Sequence, residues 1–373
     1  MKHELLLKML EEFAQKEVKP LAKSIDEEER FPIETVQKMA ELGILGLPYD
    51  PQYGGVGASY TGYVDAVRIL SKYCATTGVI LSAHTSLCAS PINAFGTEAQ
   101  KQQYLPKLNR GEWLGAFGLT EPSAGTDASK QQTKAIDKGD YYEITGSKIF
   151  ITNAGHADIY IIFAMTNPEL GLKGISAFIL EKDTEGFSVG PKERKMGIRG
   201  SSTCELIFDK VKVPKSNLLG KPGEGFKIAM STLDGGRIGI AAQAVGIAEG
   251  AFERAVDYVK TRKQFDKPIA SFQHTQFKIA DMKTSIEAAK ALLYQAANAK
   301  EQGESYSDKA AMAKLYASRV AFEVADQAIQ LMGGYGYIRD FEIERYLRDA
   351  KITEIYEGTS EVQRMVIAGK VLR

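Results

Sequence analysis

The segment Tyr141-Tyr142-Glu143-Ile144-Thr145-Gly146-Ser147-Lys148-Ile149-Phe150-Ile151-Thr152 decides the fold class, because it opens a strand-rich region between two helical ones. Its β-branched and aromatic residues predict strands at 141–145 and 148–152, with Gly146 breaking the run. Further short apolar runs follow at 159–165, 175–180 and 206–213. Together these runs predict a compact β-barrel or sandwich over residues 111–222.

The regions on either side are predicted to be helical. Proline residues punctuate residues 1–110, and no regular βαβ alternation is present, which argues against a Rossmann enzyme. After residue 222, apolar residues recur at steps of three and four at Ile279, Met282, Ile286, Ala289, Leu293 and Ala296. That narrow stripe is typical of antiparallel helices in a bundle. The sequence therefore predicts three domains: helical (1–110), β (111–222) and a helical bundle (223–373).

The composition excludes several classes of partner. The chain has 373 residues, with 47 Lys and Arg balanced by 47 Asp and Glu, so nothing indicates a nucleic-acid or membrane partner. A near-neutral surface favours an oligomer. Three cysteines without a C-x-x-C pair indicate a reducing compartment. The N-terminus lacks a targeting pattern, so we expect a cytoplasmic location, or the mitochondrial matrix only if a transit peptide has been removed.

Common catalytic and metal-binding motifs are missing. The sequence contains no G-x-G-x-x-G, Walker A, H-E-x-x-H or G-x-S-x-G motif. The four histidines are scattered along the chain. We therefore expect no metal site.

One carboxylate near the C-terminus is a candidate general base. Glu357 lies in Ile355-Tyr356-Glu357-Gly358-Thr359-Ser360-Glu361-Val362-Gln363-Arg364. Burial beside a tight glycine turn would raise the pKa of this carboxyl toward working pH, as a general base requires. The alternative is a surface loop before a capped helix, because Ser360 and Gln363 match the S-x-x-Q capping box.

Four glycine-rich or basic segments have the composition of ligand-binding loops. They are Gly115–Asp127, Thr261–Phe265, Gln330–Tyr337 and Leu233–Arg237. Small residues let backbone N–H groups approach a ligand, and the guanidinium of Arg262 suits a phosphate. Each segment also has a purely structural interpretation: a turn-rich loop, a solvated helix end, a helix C-cap, and a helix interrupted by a glycine pair.

Taken together, these segments resemble the acyl-CoA dehydrogenase family over nearly the whole chain. The motifs are Gly118-Leu119-Thr120-Glu121-Pro122 through Asp127, Ile151-Thr152-Asn153, Gln330–Gly334 and Tyr356-Glu357-Gly358-Thr359. Residues 80–87 and 234–237 look most like the short-chain, butyryl-CoA branch. The resemblance implies a mainly α fold with a central β-domain, a C-terminal four-helix bundle, FAD as cofactor, and a homotetramer built as a pair of dimers.

The resemblance also implies roles for individual residues. The flavin ring is expected against Phe117, Leu119, Thr120, Gly125, Thr126, Phe150, Ile151 and Thr152. The pyrophosphate and adenosine side is expected against Arg262, Phe265 and Gln273, with Gln330, Gly333 and Gly334 from another subunit, and at the helix start of Thr359 and Glu361. The acyl-CoA is expected to contact Thr126, Asp234, Gly235, Gly236, Arg237 and Gly358.

The implied reaction is the α,β-dehydrogenation of a short-chain acyl-CoA to the trans-2-enoyl-CoA. Glu357 would take the α-proton, FAD N5 would accept the β-hydride, and an electron-transferring flavoprotein would receive the electrons. The backbone N–H of Glu357 and a ribityl hydroxyl of FAD would polarise the thioester oxygen. Some branches place the base in the segment of Gly235 and Gly236, where this chain has no acid. An enoyl-CoA reductase, an oxidase and a non-catalytic scaffold remain alternatives.

Overall fold

The computed structural model describes residues 3–372, so Met1, Lys2 and Arg373, which end the two outer predicted domains, lie outside the described residues. Helices come first, as predicted. They are α1 (His3–Phe13), α2 (Ala22–Glu27), α3 (Ile33–Glu41), α4 (Tyr60–Tyr73), α5 (Ala75–Ser82), α6 (Ser90–Phe95) and α7 (Glu98–Asn109). Segments of wider, π-type turns at Ala14–Val18 and Ala83–Ala89 extend α1 and α5.

Strands follow and form one mixed sheet. They are β1 (Gly115–Gly118), β2 (Lys134–Asp137), β3 (Tyr141–Thr152), β4 (Ile159–Met165), β5 (Ile175–Glu181), β6 (Phe187–Lys192), β7 (Thr203–Pro214) and β8 (Leu218–Leu219). The sheet has eight strands in the order β6-β7-β3-β2-β4-β5-β8, and β1 pairs with β4 in parallel.

The predicted break at Gly146 was wrong. Residues 141–152 form one strand, and the register of β3 against β7 shifts between Ile144 and Gly146. Gly146 has a φ of +146°, and a Cβ there would lie 2.6 Å from Oγ1 of Thr133. The glycine therefore makes a β-bulge, which bends the strand instead of ending it.

Long helices make up the C-terminal part. They are α8 (Gly225–Thr261), α9 (Gln273–Glu301), α10 (Ser307–Met332), α11 (Gly334–Tyr337), α12 (Ile343–Thr353) and α13 (Ser360–Val371), with a short hairpin of β9 (Lys263–Gln264) and β10 (Lys267–Pro268). The predicted apolar stripe of α9 is buried at Met282, Ile286, Ala289, Leu293 and Ala296, with Ile279 partly buried against it. This part of the fold is confirmed.

Helix α8 connects all three regions. Its residues Ile238 and Val245 share one apolar core with Tyr63 and Leu70 of α4, so the N-terminal helices and the bundle are packed together. Its first turns contact β5, where a Cβ on Gly225 would lie 2.6 Å from the backbone carbon of Ser176. Glycine residues 235 and 236 do not interrupt the helix, contrary to the structural interpretation of that segment.

The sheet is buried on both faces. Along β4, Ile159, Ile161 and Phe163 pack in a cluster that includes Leu105 and Leu108 of α7. The alternate residues Tyr160, Ile162 and Ala164 pack in a cluster drawn from the strands themselves. The sheet therefore covers one of its own faces, and the helices cover the other. Among residues 3–372, no helix has both the length and the apolarity needed to cross a membrane.

Candidate active site

Glu357 lies in a tight turn between α12 and α13. Its φ is +53°, and the φ of the following Gly358 is +91°. The left-handed conformation costs a non-glycine residue about 1–2 kcal/mol, so neighbouring contacts must hold it. Nζ of Lys314 donates a hydrogen bond of 2.6 Å to the carbonyl oxygen of Gly358, and Nε2 of Gln363 donates one of 2.8 Å to the same oxygen.

The capping box predicted at Ser360 and Gln363 was wrong. The N-cap of α13 is Thr359, whose Oγ1 accepts a hydrogen bond of 3.4 Å from the backbone N–H of Val362. Gln363 is fully buried, and its side-chain amide reaches back to the turn instead of capping the helix. The helix start therefore stabilises the backbone that carries Glu357.

The carboxylate of Glu357 is enclosed without a hydrogen-bond partner. The residue as a whole is half-buried, but its Oε2 is fully buried and bonds to no protein atom among the described residues. Burial raises the pKa of this carboxyl to about 7, although the positive charges of Lys314 and Arg237 oppose the shift. A carboxylate with these properties exchanges a proton readily near neutral pH.

Two glycines of α8 shape the space around this carboxylate. A Cβ on Gly236 would lie 2.0 Å from Oε2 of Glu357 and 2.8 Å from Cδ2 of Leu87. One turn further along α8, a Cβ on Gly239 would lie 2.4 Å from Oγ of Ser82. The carboxylate thus lies directly against the backbone of α8. One turn further along, at Gly239, α8 packs closely against Ser82 of α5.

The predicted substrate residues of α8 lie beside Glu357. Arg237 is almost fully buried and pairs with Asp234, whose Oδ1 also accepts a hydrogen bond of 3.0 Å from Oγ of Ser307. Nε of Arg237 has no partner among the described residues. Gly235 faces Lys300, whose Nζ would lie 2.5 Å from an added Cβ. The structure therefore brings residues 234–237 and the turn of Glu357 and Gly358 together.

The predicted flavin-ring residues lie in two adjoining segments. The N–H of Ile149 in β3 donates a hydrogen bond of 2.9 Å to the carbonyl oxygen of Thr120, which joins β3 to the loop after β1. The side chain of Phe150 is 61% exposed. Gly125 and Thr126 are also exposed, and Thr120 and Thr152 are half-buried.

Three other residues of this predicted set are buried. Phe117, Leu119 and Ile151 point into the apolar cores on the two faces of the sheet. Phe117, for example, packs edge-on against Phe163 with ring centroids 5.1 Å apart. The side chains of Phe117, Leu119 and Ile151 therefore contribute mainly to these cores.

A buried ion pair fixes the loop. Nζ of Lys148 donates hydrogen bonds of 2.7 Å to Oε1 of Glu121, 2.9 Å to Oε1 of Gln131 and 3.3 Å to the carbonyl oxygen of Leu119. Burial lowers the pKa of Lys148 to about 8. Both charged side chains are almost completely inaccessible, so the pair anchors the loop to β3.

The residues predicted to bind the pyrophosphate and adenosine do not all lie in one place. Arg262, Gln330, Gly333 and Gly334 line one cleft of about 440 Å³, where the guanidinium of Arg262 lies 5.6 Å from the ring centroid of Tyr335. The expectation that Gln330, Gly333 and Gly334 act from a different subunit than Arg262 stays a prediction. Phe265 is exposed and Gln273 begins α9, but neither lines this cleft.

A second cavity lies at the start of α13. It has a volume of about 700 Å³ and is lined by Thr359 and Glu361 together with residues of α9 and α10. Glu357 lines neither cavity.

Within residues 3–372, no three His, Cys, Asp or Glu side chains cluster as metal ligands would.

Sequence reasoning missed Lys314 and the role of Gln363. Lys314 interrupts an alanine-rich helical stripe, since Ala310 and Ala317 lie one turn before and after it and are both fully buried. A lysine on the apolar face of a helix was therefore visible in the sequence as an anomaly. The inward orientation of Gln363 had no such signal, because its spacing from Ser360 matched a capping box.

Comparison with known families identifies the chain. Residues 1–112 match the model of the acyl-CoA dehydrogenase N-terminal domain, 116–211 the middle domain and 223–372 the C-terminal domain. The chain belongs to the acyl-CoA dehydrogenase family. Within the family, it is 59% identical over 370 residues to the short-chain specific acyl-CoA dehydrogenase of Clostridium acetobutylicum, covering 99% of this chain and 98% of that protein.

Other members of the acyl-CoA dehydrogenase family are similarly close. The acryloyl-CoA reductase (NADH) of Anaerotignum propionicum is 50% identical over 372 residues, covering 99% of this chain and 94% of the relative. The structure of butyryl-CoA dehydrogenase from Megasphaera elsdenii superposes with a TM-score of 0.98 at 52% identity, covering 100% and 98% of the two chains. A chain from work on the electron transferring flavoprotein of Acidaminococcus fermentans matches with a TM-score of 0.98 at 55% identity and the same coverage.

Proposed function

We propose that this acyl-CoA dehydrogenase oxidises a short-chain acyl-CoA, with butyryl-CoA as the model substrate, to the trans-2-enoyl-CoA. The observation that carries the proposal is the Oε2 atom of Glu357, which is buried, unpartnered and part of a carboxyl whose pKa is about 7. A group of this kind is an effective base for a weakly acidic carbon-bound proton. The short-chain specific relative supports the choice of substrate.

The proton transfer uses only residues of this chain. The α C–H bond of the substrate breaks, its proton goes to Oε2 of Glu357, and its electron pair becomes the second bond between the α- and β-carbons as the β-hydrogen leaves with its own pair. Among residues 3–372, no protein oxygen accepts a hydrogen bond from the backbone N–H of Glu357, so this donor is free for the thioester oxygen. A donor held at the site of developing negative charge stabilises the transition state. The buried Arg237 lies beside the same carboxylate, and its positive charge opposes the rise in the pKa of Glu357 that burial causes.

The residues present fit FAD as the cofactor. Phe150 of β3 and Gly125 of the preceding loop are both exposed, and an added Cβ on Gly125, Gly333 or Gly334 would meet no atom within 4 Å. The guanidinium of Arg262 supplies the charge that a pyrophosphate requires. When bound, FAD accepts the β-hydrogen of the substrate together with its electron pair. This transfer completes the oxidation that the loss of the α-proton begins.

The close approach of α8 to α5 supports a substrate with a short acyl chain. Gly236, beside Glu357, and Gly239, against Ser82 and Tyr63, are three residues apart on α8. Three residues of helix rise about 4.5 Å, which accommodates the two C–C bonds of about 1.5 Å that follow the α-carbon of a butyryl chain, together with the bulk of its terminal methyl group. If the acyl chain runs along this face from the α-carbon, the contact of Gly239 with Ser82 and Tyr63 ends the pocket near a four-carbon chain.

The relatives support proposals for the direction of the reaction and for the electron partner. The acryloyl-CoA reductase relative supports an enoyl-CoA reductase as the second candidate, since the same base and cofactor serve both directions. The match from work on an electron transferring flavoprotein supports a flavoprotein partner. Exposed apolar side chains at Phe265, Tyr337 and Leu372 support a homotetramer, because association would bury them. A cytoplasmic location remains a prediction.

Anaerobic titration of the purified protein tests the proposal. The protein should be yellow, and butyryl-CoA should bleach its flavin absorbance within the turnover time. No bleaching with any acyl-CoA of four to eight carbons would refute the dehydrogenase assignment, and a colourless protein would favour the scaffold. Bleaching by butyryl-CoA together with faster NADH- or flavoprotein-driven reduction of crotonyl-CoA would favour the reductase direction.

A further inference from the structure

Lys314 is a buried lysine without an assigned role. It lies on α10 among buried alanines, and only 1% of its surface is exposed. Burial lowers the pKa of its ammonium to about 7. A lysine is rarely buried in this way unless a specific partner compensates, because removing an ammonium from water is costly.

The partner of Lys314 is part of the turn that carries the base. Its Nζ donates a hydrogen bond of 2.6 Å to the carbonyl oxygen of Gly358, the residue immediately after Glu357. The same oxygen accepts a hydrogen bond of 2.8 Å from Nε2 of Gln363. A charged donor from α10 and a neutral donor from α13 therefore hold one peptide group of a left-handed turn.

Lys314 is also the main opposing charge for the carboxylate of Glu357. The charged groups that act on Lys314 are Glu357, Glu354 and Glu361 from the turn and α13, and Arg237 from α8. The charges that act on Glu357 are Lys314 first and Arg237 second, and the phenols of Tyr60, Tyr63 and Tyr356 face it as well. Arg237 is already paired with Asp234, whereas Lys314 bonds to an uncharged carbonyl.

We propose that Lys314 is a positioning residue for the base: its ammonium fixes the Gly358 carbonyl, and with it the turn of Glu357, while its positive charge favours the ionised form of the carboxylate. The inference rests on the proposed function, since it assigns to Lys314 a part in the proton transfer to Glu357. The hydrogen bond of the Lys314 Nζ goes to the Gly358 carbonyl oxygen and not to the carboxylate that takes the proton. Lys314 acts through the backbone and through its charge.

Two variants separate the charge from the hydrogen bond. Lys314→Met removes both, whereas Gln363→Leu removes only the neutral donor to the same oxygen. Each variant is purified with FAD bound, and the rate of anaerobic flavin reduction by butyryl-CoA is measured from about pH 6 to about pH 9. Loss of an opposite charge at short range raises a carboxyl pKa by about one unit or more.

The acid limb of the pH–rate profile, where the rate of flavin reduction falls as pH decreases, is expected to shift in one variant only. In Lys314→Met the limb moves to higher pH by about one unit, so the rate on the acid side falls about tenfold. In Gln363→Leu the rate falls at every pH while the limb stays in place. Lys314→Arg, which keeps the charge but alters the geometry, keeps the limb near its wild-type position and lowers the plateau rate.

An unmoved acid limb in Lys314→Met would overturn the inference, and so would an equal shift in Gln363→Leu. If Lys314→Met fails to retain FAD, Lys314→Gln provides the same measurement, because its amide keeps a neutral donor while the charge is lost. Failure of the wild-type protein to be reduced at any pH would refute the proposed function, not the role of Lys314.

Discussion

Oε2 of Glu357 lies where a Cβ on Gly236 would stand, with only 2.0 Å between the two positions. A residue with a side chain at 236 and the inward carboxylate at 357 therefore cannot share this space. In this structure a side chain at position 236 and the inward carboxylate of Glu357 are therefore mutually exclusive, so Gly236 makes room for the base.

The first prediction concerns Gly236→Ala. The added methyl group would displace the carboxylate of Glu357 and press on Cδ2 of Leu87, at 2.8 Å. We expect the rate of flavin reduction by butyryl-CoA to fall about 100-fold, because misplacing a reacting group by about 1 Å has an effect of this size. Gly369→Ala is the control, since a Cβ there meets nothing within 4 Å. Wild-type kinetics in Gly236→Ala would contradict the geometry.

The second prediction concerns Glu357→Gln. The amide has nearly the shape of the carboxyl group but cannot accept the α-proton. We expect the variant to keep FAD, to bind butyryl-CoA and to show no substrate-dependent bleaching in stopped-flow measurements. Turnover within tenfold of the wild type would mean that another group is the base.

The third prediction is the effect of the same substitution on stability. The pKa of Glu357 is raised from 4.5 to about 7 by burial, so the folded protein binds this proton more tightly than the unfolded chain. The contribution of Glu357 to stability is therefore fully present below about pH 4.5 and is lost as pH rises through about 7. Glu357→Gln should raise the melting temperature of the holoprotein more at pH 8 than at pH 5. An equal change at both values would contradict the raised pKa.

The fourth prediction concerns acyl-chain length. Tyr63 is fully buried, and its hydroxyl would lie 3.2 Å from a Cβ on Gly239. Tyr63→Leu should open the end of the pocket and raise kcat/KM for hexanoyl-CoA relative to butyryl-CoA by about tenfold, the effect of one or two methylenes in an apolar pocket. Tyr63→Phe keeps the ring and removes only the hydroxyl, so it should raise the ratio much less than Tyr63→Leu does. Equal ratios in both variants would place the end of the pocket elsewhere.

The fifth prediction concerns the buried pair of Lys148 and Glu121. Lys148→Met leaves the carboxylate of Glu121 buried without its cation, which should destabilise the protein by about 3–5 kcal/mol. FAD affinity should fall as well, because the pair anchors the loop of Thr120 and Gly125 to β3. The double variant Glu121→Gln, Lys148→Met should recover part of the loss in thermal unfolding. No difference between the single and double variants would mean that the pair is not coupled.

Local patterns predicted most of the fold. The apolar stripe of α9 repeats at the period of a helix, and the β-branched and aromatic runs of β3, β4, β5 and β7 are typical of strands. The prediction at Gly146 was wrong because a glycine can either end a strand or form a β-bulge within it. Only the pairing of β3 with β7 distinguishes these two outcomes. Ser360 and Gln363 were misjudged because the S-x-x-Q spacing fits a cap equally well.

The sequence by itself determined the order of helices and strands, the family motifs, and Glu357 as the candidate base. Only the tertiary structure decided that Gly236 makes room for that carboxylate, that Gly239 meets Ser82 and Tyr63, and that Lys314 reaches the Gly358 carbonyl. These relationships join residues separated by 44 or more positions in the chain. Their energies come from burial and close approach between helices, which no local pattern of residues encodes.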